Sequence, residues 1–80
     1  MRINKTMIDE MELLAKFPRA SHMQGIKVHS DADATLRDAA QRLFDKGITD
    51  SPDGGYLTDL GLDLVKHLDT LYAALSSKAG

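Results

Sequence analysis

The sequence predicts one small α+β domain with three helices, a short strand and a β-hairpin. Three observations predict this class. Apolar residues recur at helical spacing in three segments, one short stretch alternates polar with β-branched residues, and one Pro, Asp and Gly cluster separates two β-prone runs. With 80 residues, of which 42% are hydrophobic and 28% charged, the chain has room for a single hydrophobic core. We therefore treat residues 1–80 as one domain.

The first helix is predicted over residues 7–17. Thr6 supplies a hydroxyl that can cap free backbone N–H groups, and an apolar stripe begins at Met7. Pro18 ends the helix, because the residue before a proline disfavours the helical region. The stripe, with its neighbours, consists of Met7, Ile8, Met11, Leu14 and Ala15.

A strand and a second helix are predicted in the middle of the chain. Residues 25–29 alternate apolar and polar side chains, so Ile26 and Val28 should face the core. The second helix is predicted over 34–46, since its apolar residues follow the i, i+3, i+4, i+7 rule until Gly47, a typical residue after a helix end. Those apolar residues are Leu36, Ala39, Ala40, Leu43 and Phe44.

The hairpin signal is local and specific. Residues 48–51 and 56–58 are β-prone, and Pro52, Asp53, Gly54 and Gly55 lie between them. Proline presets the first turn angle, aspartate bonds its own backbone, and glycine tolerates a positive φ. We expect one of the two glycines to have a positive φ.

The last helix is predicted over residues 59–76 with Thr58 as its cap, and residues 76–80 are expected to fray. Its leucines are spaced by four, three and four residues, as in a knobs-into-holes seam. This helix exceeds the other two in length, so its C-terminal turns should project beyond the core. Self-association is favoured slightly over packing against the first helix, and the candidate residues are Leu64, Leu68, Leu71 and Leu75.

Two stretches carry a family resemblance. The junction 42–48 reads Arg-Leu-Phe-Asp-Lys-Gly-Ile, and 55–61 reads Gly-Tyr-Leu-Thr-Asp-Leu-Gly. Residues 36–75 thereby resemble the wing region of bacterial winged-helix proteins. The resemblance implies a winged-helix-like fold in which helix 34–46 is the recognition helix, 51–55 the wing tip and the last helix a dimerisation element. The whole chain also resembles a family of uncharacterised bacterial proteins of about this length, through Gln24 to His29 and Asp53 to Thr58.

The distribution of charge disfavours nucleic acid as the partner. Residues 30–63 carry three Lys or Arg against eight Asp, and the predicted wing has no basic residue. Affinity for DNA depends largely on neutralising phosphates. A supporting helix directly before the recognition helix is also missing, unless the first helix replaces it. The residues that could contact DNA are Arg37, Gln41, Arg42 and Lys46.

No pattern in the sequence predicts catalysis. Cysteine is absent, the three histidines are scattered, and no serine lies in a nucleophile motif. We therefore predict no enzyme activity, metal, cofactor or small-molecule substrate. No apolar run is long enough to cross a membrane, and the expected location is the cytoplasm.

Two functional hypotheses remain. The sequence favours a non-enzymatic binding module that acts through protein–protein interaction or self-association, with a protein partner or a homodimer as the assembly. The alternative is a small DNA-binding transcriptional regulator that uses helix 34–46 and the wing at 48–57.

Overall fold

A computed structural model of the chain describes residues 1–19 and 24–77. It has three helices and a small antiparallel sheet, the predicted α+β class, in an arrangement consistent with a winged-helix-like fold. The end of the tail that was expected to fray, 78–80, lies outside the described residues. The elements are α1 (Lys5–Ala15), β1 (Ile26–Lys27), α2 (Ala34–Asp45), β2 (Thr49–Ser51), β3 (Gly54–Leu57) and α3 (Asp59–Ser76).

The sheet has the order β1-β3-β2, so the second strand of the hairpin lies at its centre. Ile26 is opposite Gly55, and Thr49 is opposite Leu57. Both Gly54 and Gly55 have positive φ, 116° and 72°, where one such residue was expected. A side chain on Gly54 would also clash with the backbone of Ile26, so this glycine additionally lets β1 approach the hairpin.

Helix α1 begins two residues earlier than predicted. The cap is Asn4, whose side-chain oxygen accepts a hydrogen bond from the backbone N–H of Met7 at 3.0 Å. The predicted cap, Thr6, instead lies inside the helix and donates its hydroxyl to Asn4 at 2.7 Å. The helix ends at Ala15, and Phe17 follows it as a buried core residue.

The core lies where α1, α2, the sheet and the first half of α3 meet. As predicted, Val28 is buried, and Ile26 packs against the core while partly exposed. The apolar face of α2 is also correct for Ala39, Ala40 and Leu43, whereas Phe44 remains exposed. The buried cluster consists of Leu13, Leu14, Val28, Ala39, Ala40, Leu43, Ile48 and Val65.

Helix α3 has the predicted bounds and is fixed to the junction of α2 and β2 by its first turn. Thr58 accepts a hydrogen bond from the N–H of Gly61 at 3.2 Å and donates its hydroxyl to the carbonyl of Gly47 at 2.6 Å. A side chain at Gly61 would overlap the carbonyl oxygen of Ile48. The helix can therefore lie this close to the chain before β2 only with glycine at that position.

Candidate functional site

An open apolar groove runs between α1 and the C-terminal half of α3. We call it the α1–α3 groove; its volume is about 690 Å³. Helix α1 forms one wall and the exposed turns of α3 form the other. The apolar side chains that line the walls are Ile8, Met11 and Ala15 from α1 and Leu68, Leu71, Tyr72 and Leu75 from α3.

The groove is open because α3 extends beyond the body of the protein. The 18 residues of α3 span about 27 Å, whereas the 11 residues of α1 span about 16 Å. Val65, in the first half of α3, is buried in the core. Leu71, Tyr72 and Leu75 are 51%, 71% and 77% exposed. The C-terminal turns of α3 thus carry large apolar side chains that no described part of the chain covers.

The α1 wall of the groove is a second apolar face of that helix. Met7, Met11 and Leu14 were predicted to lie on one apolar stripe, but of these residues only Leu14 is buried, while Met7 is exposed and Met11 partly buried. The core face is instead made by Leu13, Leu14 and, just after the helix, Phe17. The sequence pattern was ambiguous because apolar residues occur on both faces.

An ion pair closes one side of the groove. Arg19 donates two hydrogen bonds to the carboxylate of Asp69, at 2.6 and 2.7 Å. This pairing lowers the pKa of Asp69 below its usual value and raises the pKa of Arg19. Arg19 also donates to the carbonyl of Ala15 at 3.3 Å. The pair therefore holds the segment after α1 against α3, and its two charges neutralise each other.

The four leucines predicted for self-association divide into two sets. Leu64 and Leu68 are partly buried and pack against the core. Leu71 and Leu75 lie at the exposed end of α3 and line the groove. The regular spacing thus continues an intramolecular seam into a surface that remains accessible.

Two of the residues predicted for DNA contact are engaged inside the protein. Arg42 donates to the carboxylate of Glu10 at 3.1 Å, and Lys46 forms an ion pair with the same carboxylate. Burial alone raises the pKa of Glu10, but its hydrogen bonds to Lys46 and Arg42 outweigh that effect and the pKa is lowered.

The sequence reasoning missed Glu10 as a structural residue. Its side chain is buried between α1 and α2, whereas Glu12 on the same helix is exposed. One signal was present: Glu10, Leu13, Leu14 and Phe17 follow the i, i+3, i+4, i+7 spacing. A charged residue within such a stripe indicates a partner of opposite charge on the facing element.

Within the described residues, the other two positions predicted for DNA contact have only local partners. Arg37 donates to the carbonyl of Ala32 at 2.9 Å, and Gln41 donates to Asp45 at 2.9 Å. In the hairpin, Asp53 forms an ion pair with Lys27 of β1. On the surface formed by α2 and the hairpin, several polar and charged side chains therefore already have partners within the protein.

Comparison with family models shows which family this chain belongs to. Residues 1–76 match the model of DUF5669, described as a family of unknown function. The chain belongs to this family. No curated protein and no solved structure matched the DUF5669 chain. The family description brings no activity, substrate or partner with it, so the surfaces described above are the basis for any functional proposal.

Two other features are absent from the described residues of this DUF5669 chain. Over residues 1–19 and 24–77, no group of three His, Cys, Asp or Glu side chains could hold a metal ion. Nor does any helix in that part of the chain have the length and apolar character needed to span a membrane. The α1–α3 groove, with its exposed apolar lining, is therefore the candidate functional site.

Proposed function

We propose that this DUF5669 chain is a non-enzymatic protein-interaction module that binds its partner through the α1–α3 groove. The observation that carries the proposal is the exposed end of α3. The exposed fractions of Leu71, Tyr72 and Leu75 together equal about two whole side chains. Covering that surface would contribute about 3–6 kcal/mol to association. Contiguous exposed apolar surface on a small domain is typical of interaction sites.

The shape and chemistry of the groove favour a protein segment over a small molecule. Small-molecule sites usually combine apolar walls with a few polar groups that converge on the ligand. In the α1–α3 groove, Arg19 and Asp69 are hydrogen-bonded to each other and lie at one side, so they do not converge on the groove. A groove whose apolar walls are two helices instead matches the way in which grooves receive an amphipathic helix.

The DNA-binding alternative lacks such support. Arg42 and Lys46 already neutralise Glu10, so binding phosphate would compete with an internal ion pair. The segment from 30 to 63, which contains α2 and the hairpin, has eight Asp against three Lys or Arg. Because non-specific DNA affinity follows the number of phosphates neutralised, this face is a poor candidate for it.

A site-specific photo-crosslinker tests the proposed function. The crosslinking residue would replace Leu75 in the groove and, as a matched control, Ala73 in the same helical turn. Two residues correspond to about 200° around a helix, so the two positions face nearly opposite directions. After irradiation of the protein in native lysate, we expect a protein adduct from position 75 and much less from position 73. No adduct at either position, or equal adducts at both, would contradict the proposal.

A further inference from the structure

We infer that the partner in the α1–α3 groove is a second copy of this chain, related to the first by a two-fold axis. This inference rests on the proposed function and names the occupant of the same site. It follows from the position of the projecting side chains, which lie on the same helix that forms one wall of the groove. It also follows from the absence of charge along that helix end.

The surface is complementary to itself. The turns of α3 that form one wall of the groove also project Leu71, Tyr72 and Leu75 into solvent. A two-fold axis beside this end brings each projecting α3 end to the groove of the other copy. Every contact then occurs twice, as in isologous dimers. A single chain thus supplies both the projecting element and the groove that receives it.

The charges at the site fit a partner with the same surface. Residues 70–77 contain no charged side chain, so two α3 ends can meet without like-charge repulsion. At the rim, Arg19 and Asp69 neutralise each other. Among the described residues, this leaves Glu12 as the rim charge without an ion pair. A groove selected for a strongly charged partner would present a complementary set of charges, which this rim lacks.

The seam continues directly from the intramolecular core. Leu64 and Leu68 pack against the core, and Leu71 and Leu75 follow them at the spacing of helix-on-helix packing. Antiparallel contact between two α3 ends, flanked by α1 of each copy, gives the layout of a four-helix bundle. The contact area is small for a permanent dimer, and we expect a dissociation constant in the micromolar range.

Sedimentation equilibrium and circular dichroism on the same samples test the inference. The wild type should form a dimer, and Leu75→Glu should raise its dissociation constant at least about 100-fold, since each of the two copies loses a leucine that the dimer buries and places a charge there instead. The control Ala73→Glu adds the same charge to the other side of the helix and should change the constant by less than about 3-fold. Both variants should keep the helical spectrum of the wild type.

A second variant keeps the test decisive if Leu75→Glu fails to fold. Tyr72 is 71% exposed, so Tyr72→Glu should leave the domain folded while weakening the dimer. If Leu75→Glu and Tyr72→Glu both fold, or only one of them does, and the folded protein still dimerises as the wild type does, the inference is overturned. Assemblies larger than two would also overturn it, because head-to-tail contact produces open chains instead of closed dimers.

The inference and the proposed function can fail separately. A wild type that stays monomeric at about 500 µM excludes a dimer in the micromolar range and overturns the inference. If position 75 then still crosslinks to a different protein, the groove is an interaction site with another occupant. If it crosslinks to nothing, both proposals are wrong. An adduct at twice the chain mass of 8.8 kDa supports both.

Discussion

Replacing the buried carboxylate of Glu10 should destabilise the fold measurably. Its side chain is only 9% exposed and accepts charge-assisted hydrogen bonds from Arg42 and Lys46. Hydrogen bonds to charged groups contribute about 1.5–3 kcal/mol each. The contribution from Lys46 is reduced to at most about 1 kcal/mol, because its side chain is half exposed. We therefore expect Glu10→Gln to lower the free energy of unfolding by about 2–3 kcal/mol.

The loss should depend on pH in a defined direction. The pKa of Glu10 is lower in the folded protein than its ordinary value of 4.5. A carboxyl with a lowered pKa stabilises the fold above its unfolded pKa, and that stability is lost as pH falls through the folded pKa. The difference between wild type and Glu10→Gln should be constant near neutral pH and shrink below about pH 4.5.

Urea unfolding followed by circular dichroism measures both effects. Glu12→Gln is the matched control, because it makes the same chemical change on the exposed side of the same helix. It should change the free energy of unfolding by less than about 0.5 kcal/mol. Equal losses for the two variants would refute the ion-pair reasoning. A Glu10→Gln difference that persists unchanged to pH 3 would refute the direction of the pKa shift.

Two further predictions follow from the packing of α3 and from the charges on α2. Gly61→Ala should lower the free energy of unfolding by more than about 2 kcal/mol, because the added methyl group would overlap the carbonyl oxygen of Ile48. The control is Gly47→Ala, at a position with positive φ but open space, which should lower it by about 1 kcal/mol in the same urea melts. In fluorescence anisotropy with labelled duplex DNA, the wild type should show no micromolar binding at physiological salt, and salt-sensitive binding lost in Arg37→Ala would restore the DNA-binding alternative.

Elements with a local start or stop signal could be predicted from the sequence. Gly47 ends α2 with a positive φ, and Thr58 caps α3. Near the start of helix α1, Asn4 and Thr6 can both cap a helix. The predicted cap was Thr6, whereas the structure shows Asn4 in that role, two positions earlier. Both residue types can accept a hydrogen bond from the N–H groups of a first helical turn, so residue type alone does not decide which one is the cap.

The candidate site could be predicted only in part. The leucine spacing pointed to Leu71 and Leu75, because periodicity on one helix is a local property. The opposite wall of the groove depends on how α1 is rotated about its axis, and apolar residues on two faces leave that rotation open. Likewise, the pairing of Glu10 with Arg42 joins residues 32 positions apart, which no local pattern encodes.

The resemblance to winged-helix proteins has a structural explanation. Thr58 caps α3 and bonds the carbonyl of Gly47, while Gly61 lets the helix lie against Ile48. The motif residues of the resemblance therefore fix the helix, hairpin and helix geometry. Two chains can share this geometry and bind different partners, since partners are selected by side chains on the outer faces. On this chain, Arg42 and Lys46 are paired with Glu10 of α1, whereas the end of α3 is apolar and open. This difference between the two surfaces is the reason for proposing contact through α3 in preference to DNA recognition by α2.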